Sequence, residues 1–416
     1  IDEAAAAIRE SRTPVIVAGG GVIYSEATDA LASFCEATGI PVAETQAGRG
    51  SLDSSHELSL GAVGATGTLA ANRIAREADL VIGIGTRYSD FTTASNTAFE
   101  NPLVRFVNLN VTGLDAFKRS AVPVLGDARE SLESLRQAVG EHRVTDEWAD
   151  RIRDERTEWI AISDEIRADG EGTPLKQAAV IAAVNDAAGD DGIVVCAAGS
   201  MPGDLHKLWR ATHPKAYHVE YGYSCMGYEI PGAMGVKLAA PDRPVFAMVG
   251  DGSWLMLPGE LVTAVSEGIG IVIVLLDNHG YASIGALSRS LGQSGFGTHY
   301  RTRPSREQVV DSGSGDRPAG DSGPLPVDLA TNAESLGAVV IRVSDMAALR
   351  DALEASRDTD HPVVIHAHTD RYQGVPDFES WWDVPPAEVA RDRAVTEARA
   401  AYDERRLKQR LHLEGK

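Results

Sequence analysis

The chain has 416 residues and a mass of 44.2 kDa, with 43% hydrophobic and 24% charged residues. That is the length of two or three domains and the balance of a globular protein. Asp plus Glu number 60 against 39 Lys plus Arg, a net charge of −21, which argues against nucleic acid as a partner. No stretch reaches the about 18 apolar residues of a membrane span, so no membrane partner is expected.

Only Lys118, Lys176, Lys207, Lys215, Lys237, Lys408 and Lys416 supply the ammonium charges, a bias that fits a high-GC or a salt-adapted source. Cys35, Cys196 and Cys225 are distant and unpaired in spacing. This excludes a disulfide scaffold and a Cys-based zinc site, and predicts a reducing, cytoplasmic setting. The chain opens without Met and without a basic-then-apolar leader, so it reads as a part of something longer.

In chain order, VIVAGG (Val15 to Gly20) reads as a buried strand, followed by a helix from Ala27 to Thr38. Ala71 to Ala78 reads as a helix, and DLVIGIG (Asp79 to Gly85) and RFVNLNV (Arg105 to Val111) as strands. Strands alternating with helices predict a parallel sheet covered on both faces. The stretch from about Glu141 to Gly172 is rich in Arg, Asp and Glu, with Trp148 and Trp159 at helical spacing. It reads as a charged connecting helix and linker.

The alternation then restarts. Ile193 to Gly199, Val245 to Gly252, Ile271 to Asn278, Ala338 to Val343 and Pro362 to His368 read as strands of a second sheet. Asp311 to Pro326 is low-complexity and reads as a surface loop. The fold class is therefore α/β, with two doubly wound parallel-sheet domains. The expected boundaries are a Rossmann-like domain over 1–145, a linker over 146–174, a second domain over 175–372 and a tail over 373–416.

The Gly-rich turn at Ala18 to Gly21 lacks GxGxxG spacing and reads as a tight strand-to-helix turn without a function. GDGS at Gly250 to Ser253 is more informative. A buried strand delivers Asp251 between two glycines, where open α/β sheets bind ligands. Asp251 is a hard oxygen donor suited to Mg²⁺. Residues 253–277 separate Gly252 from Asn278, which ends the next buried strand. A right-handed crossover through a helix at Leu261 to Gly268 places both strand ends at one sheet edge. Asp251, Asn278 and a loop carbonyl near Gly280 can then share one cation.

This Asp and Asn, at this spacing and after two strands, resemble the cofactor motif of the thiamine-diphosphate enzymes. The resemblance implies that Asp251, Asn278 and the Gly280 carbonyl hold Mg²⁺, which clamps the diphosphate, with Gly252 and Ser253 beside it. Asp277 stands where many members carry a first Asn. Tyr221 to Ala239 (YGYSCMGYEIPGAMGVKLA) resembles the segment that bends the cofactor. There Met226 aligns with the apolar wedge and the Ser224 carbonyl with the acceptor of the 4′-amino group. AAGSMPGD (Ala197 to Asp204) resembles a second diphosphate contact, through Gly199 and Ser200. His279, beside the Asn of the motif, reads as a loop residue near solvent, with a role in proton transfer as the alternative.

The likeness extends along the whole chain, as the family's central and diphosphate-binding domains. The stretches FVNLNVTGLDAFKRSAVPVLGDA and SWWDVPPAEV resemble a branch that hydrolyses a C–C bond to open a cyclic 1,2-dione in inositol breakdown. An acetolactate-synthase-like carboligase acting on a 2-oxo acid, and a non-catalytic cofactor-binding subunit, stay open as alternatives. The family's activating Glu belongs to an N-terminal pyrimidine-binding domain that these 416 residues do not contain. No catalytic residue is therefore nominated here. The resemblance further implies a homodimer or homotetramer with its site between subunits.

Overall fold

The computed structural model describes residues 1–170, 172–220, 222–302 and 325–413. Most of the low-complexity stretch, residues 311–324, lies outside the described residues. Two six-stranded sheets, parallel throughout, carry the fold.

The first contains β1 (Pro14–Ala18), β2 (Val42–Glu44), β3 (Ser59–Ala62), β4 (Leu80–Ile84), β5 (Arg105–Asn110) and β6 (Val122–Leu125). Their order is β3-β2-β1-β4-β5-β6. β1 and β4 are buried along their whole length, as expected of central strands covered by helices on both faces. One face packs against Phe34, Leu132 and Leu135, the other against Ile74, Trp148 and Trp159.

Local chemistry sets the helix ends. The Thr68 hydroxyl accepts the Ala71 amide, Asp127 accepts those of Arg129 and Glu130, and Thr145 accepts that of Trp148, each an N-cap. Gly39, at φ +72°, ends the helix Thr28–Thr38 in the left-handed region that favours glycine.

The charged helix Asp146–Ala168 lies on the first sheet's core. It buries Trp148, Ile152, Glu155 and Trp159, and the Trp148 indole N–H donates to the Pro14 carbonyl at 3.1 Å. The buried Glu155 is paired with Arg73 at 3.2 Å.

The second sheet contains β7 (Ile193–Cys196), β8 (Tyr217–Val219), β9 (Val245–Gly250), β10 (Val272–Asp277), β11 (Val339–Val343) and β12 (Val363–His368). Their order is β11-β12-β10-β9-β7-β8. The crossover between β9 and β10 holds two short helices, Asp251–Met256 and Glu260–Ser266, rather than the single helix expected. Pro258 and Gly259 interrupt it. β9 and β10 are adjacent and in register, with Gly250 beside Leu276.

The two sheets meet through polar side chains. The Gln46 amide donates to the Pro202 carbonyl at 2.8 Å and accepts from the Tyr217 hydroxyl at 2.8 Å. His206 contacts the Glu44 carbonyl at 3.1 Å and the Thr66 hydroxyl at 2.9 Å. The tail crosses both units. Lys207 donates to the Pro376 carbonyl at 3.0 Å, and Glu379 pairs with Arg73 at 2.7 Å and Arg76 at 2.6 Å. Among the described residues no helix is long and apolar enough to cross a membrane.

Candidate active site

All nine residues singled out in the sequence line one cavity of about 260 Å³: Gly199, Ser200, Ser224, Met226, Asp251, Gly252, Ser253, Asn278 and Gly280. They come from the segments that directly follow β7, β8, β9 and β10, so the cavity sits at the carboxyl edge of the second sheet. Open parallel sheets bind ligands at that edge.

Asp251 is 1% exposed. Its Oδ1 accepts the Gly252 amide at 2.8 Å, and its Oδ2 accepts the amides of Asn278 at 3.2 Å and Gly280 at 2.9 Å. Burial pushes this carboxyl well above the ordinary carboxylate range, the Gly280 amide opposes the shift, and the neighbouring Asp277 adds to it. A carboxylate so placed gains most from a cation. Asn278 Oδ1 is buried and has no hydrogen-bond partner. An orphaned acceptor of this kind costs desolvation energy unless a ligand takes it up. Together with the hard oxygen donors, it makes the site fit a Mg²⁺ ion.

The loop after β10 is held from two sides. The Tyr300 amide donates to the His279 carbonyl, and the Tyr281 amide to the Thr298 carbonyl, both at 2.9 Å. Arg371 donates to the Asn278 carbonyl at 2.8 Å and also reaches that of His279. Gly280 has φ +149°, and a Cβ there would lie 2.2 Å from the Thr298 carbonyl oxygen. His279, 42% exposed in its side chain, faces Asp277 at 3.3 Å.

Met226 is 37% exposed and reaches the space over Gly252, where a Cβ would lie 3.1 Å from its terminal methyl. The Tyr281 ring bounds the same space at 3.1 Å. Ser224 has φ +52°, which turns the backbone ahead of Met226. Gly199, at φ +96°, leads into the helix Met201–Leu208, and Ser200 exchanges hydrogen bonds with the Gln177 amide at 3.2 and 3.3 Å.

Sequence reasoning passed over Glu229. It is 1% exposed, its Oε2 accepts the Gly227 amide at 2.9 Å, and its Oε1 has no partner. Burial raises its pKa, and backbone amides, that of Gly227 among them, lower it in part. The signal was a lone acid inside the apolar run of Tyr228 to Val236. Gln177, Tyr281 and Ile284 also line the cavity, and no local pattern marks them. The Gly19 to Gly21 turn lines a separate cavity of about 530 Å³ at the carboxyl ends of β1 and β4.

Comparison with known proteins agrees with this architecture. Residues 1–135 match the thiamine pyrophosphate enzyme central domain, and residues 197–367 match the C-terminal TPP binding domain. The chain belongs to the thiamine pyrophosphate enzyme family.

Within it, the chain is similar to proteins named 3D-(3,5/4)-trihydroxycyclohexane-1,2-dione hydrolase. The one from Shouchella clausii is 38% identical over 437 residues, covering 99% of this chain and 66% of the relative. Those from Bacillus cereus AH820 and Halalkalibacterium halodurans are each 39% identical over 426 residues, covering 95% of this chain and 63% of the relative. The chain thus spans slightly less than two thirds of the length of these relatives.

Proposed function

We propose that this chain carries the central and cofactor-binding parts of a thiamine-diphosphate- and Mg²⁺-dependent C–C hydrolase. The substrate would be 3D-(3,5/4)-trihydroxycyclohexane-1,2-dione, opened to 5-deoxyglucuronate in cytoplasmic inositol degradation. The observation that carries this reading is the convergence of all nine motif residues on one cavity that contains the orphaned Asn278 Oδ1. The relatives' names supply the substrate.

In this reading Asp251, Asn278 and the Gly280 carbonyl hold the cation. Gly199, Ser200, Gly252 and Ser253 receive the diphosphate through backbone amides and hydroxyls at helix starts. Met226 forms an apolar ledge against the bound rings, and the Ser224 carbonyl accepts a hydrogen bond from the ring amine. Bound there, the cofactor would supply the carbanion chemistry that lets a C–C bond between adjacent carbonyls break. Glu229 fixes the loop under Met226 through the Gly227 amide.

The activating Glu would come from a pyrimidine-binding domain outside this chain, and a partner subunit would complete the site. Exposed Met226 and Ile284, which line the cavity, support such a cover, because exposed apolar side chains favour burial against another surface. Product analysis by NMR tests the activity on the assembled enzyme. Deoxyglucuronate from the cyclic dione is the expected result; acetolactate from pyruvate, with the dione unchanged, would overturn it.

A further inference from the structure

Behind the cofactor cavity, the ends of β10 and β12 bring Asp277, His366 and His368 together. Asp277 pairs with His368 in the strand register, and His366 lies two residues before His368, on the same face of β12. One ligand atom from each of these three residues falls within 4.8 Å of the others.

Both imidazoles approach the same carboxylate oxygen. His366 Nε2 lies 3.2 Å from Asp277 Oδ2, and His368 Nδ1 lies 3.7 Å from it. A carboxylate oxygen can accept from one ring N–H at the first distance, but the second is too long for a hydrogen bond. Both distances bracket the separation of about 3.4 Å expected between two ligands of a tetrahedral ion with bonds of about 2.1 Å. The rings stand at 80° with centroids 4.8 Å apart, so their nitrogens converge without the rings stacking.

His279 Nδ1 meets the other oxygen, Asp277 Oδ1, at 3.3 Å. It is placed as an outer group that orients the carboxylate. A cavity of about 440 Å³ opens in front, lined by Thr173, Asp277, Asp328, Ser344, His366 and His368. That space leaves a coordination position open to water or a small ligand. Arg342, also on its wall, is engaged by Glu334 at 2.5 Å and by Asp328 at 3.8 Å.

From this geometry we infer that Asp277, His366 and His368 form a second metal site, for a borderline divalent cation of the Zn²⁺ type. It is chemically distinct from the all-oxygen donor set at Asp251 and Asn278. Two imidazoles and one carboxylate with an open fourth position favour Zn²⁺ or Co²⁺ over Mg²⁺. The inference does not depend on the proposed cofactor or substrate.

The test is equilibrium dialysis of the metal-stripped chain against Zn²⁺ with Mg²⁺ in excess, followed by zinc analysis. The wild-type chain and Asp251→Asn should each retain one Zn²⁺. His368→Ala should bind it more than about tenfold more weakly, tenfold being the low end of losses seen when even an outer group is removed. His368 is 56% exposed in its side chain, so this variant should melt as the wild type does. Co²⁺ should give a tetrahedral d–d band in the wild type that His368→Ala lacks. No retained Zn²⁺ in the wild type, equal retention by His368→Ala, or loss of Zn²⁺ in Asp251→Asn would overturn the site.

Discussion

The Gly280 amide donates to Asp251 Oδ2 at 2.9 Å, so a single carboxylate ties the end of β9 to the loop after β10. Two segments far apart in the chain thereby become one rigid edge of the cavity. The strand register, with Gly250 beside Leu276, brings them close. The hydrogen bond fixes their spacing, and substitutions at this edge should affect stability and ligand affinity together.

Gly280→Ala is the sharpest case. The added Cβ would lie 2.2 Å from the Thr298 carbonyl oxygen, at a φ of +149° that an L side chain rarely adopts. The backbone must move, at a cost of about 1–3 kcal/mol. Thermal or denaturant melting should show that loss, with weaker thiamine diphosphate binding beside it. Wild-type stability in this variant would mean that the loop is not held as described.

Met226→Ala should separate the two effects. The side chain is 37% exposed, so truncation should cost about 1 kcal/mol of stability or less. If Met226 is the ledge under the cofactor, calorimetry should show affinity for thiamine diphosphate falling by about tenfold, the equivalent of about two lost methylene contacts.

Glu229→Gln addresses the buried acid. Burial holds the Glu229 pKa above its ordinary value of 4.5, so the folded chain binds its proton more tightly than the unfolded chain does. Wild-type stability at this group is therefore highest below 4.5 and is lost as pH rises through the folded pKa. Gln cannot ionise. The melting temperature of Glu229→Gln minus that of the wild type should therefore increase as pH is raised from about 4.5 to about 8. A flat difference would show that the acid is not desolvated in the folded chain.

Much of this architecture could be read from the sequence because central parallel strands are continuous apolar runs. β1, β4, β9, β10 and β12 all announce themselves in that way. β2, β3, β6 and β8 did not. They have three or four residues each, and β3, β6 and β8 lie at sheet edges. There one side needs no ladder partner, and Pro123 can be accommodated.

Asp251 and Asn278 were legible because each follows a buried strand. Gln177 and Arg371 were not, because what they do depends on partners distant in sequence, Ser200 and the Asn278 carbonyl. Glu229 acts on the nearby Gly227 amide, but only its burial in the fold marks it out. Asp277 was noted only as a departure from the family motif. Two of its imidazole neighbours, His366 and His368, come from β12, about ninety residues further along the chain, beyond the reach of any local pattern.

The central claim, that Asp251 and Asn278 build a cation-dependent thiamine diphosphate site, is tested most directly by calorimetry. Thiamine diphosphate is titrated into the wild-type chain and Asp251→Ala, each with and without Mg²⁺. The account predicts binding to the wild type that strengthens with Mg²⁺, and loss of that Mg²⁺-dependent gain in Asp251→Ala. Equal affinity in the two proteins, or wild-type binding indifferent to Mg²⁺, would contradict it.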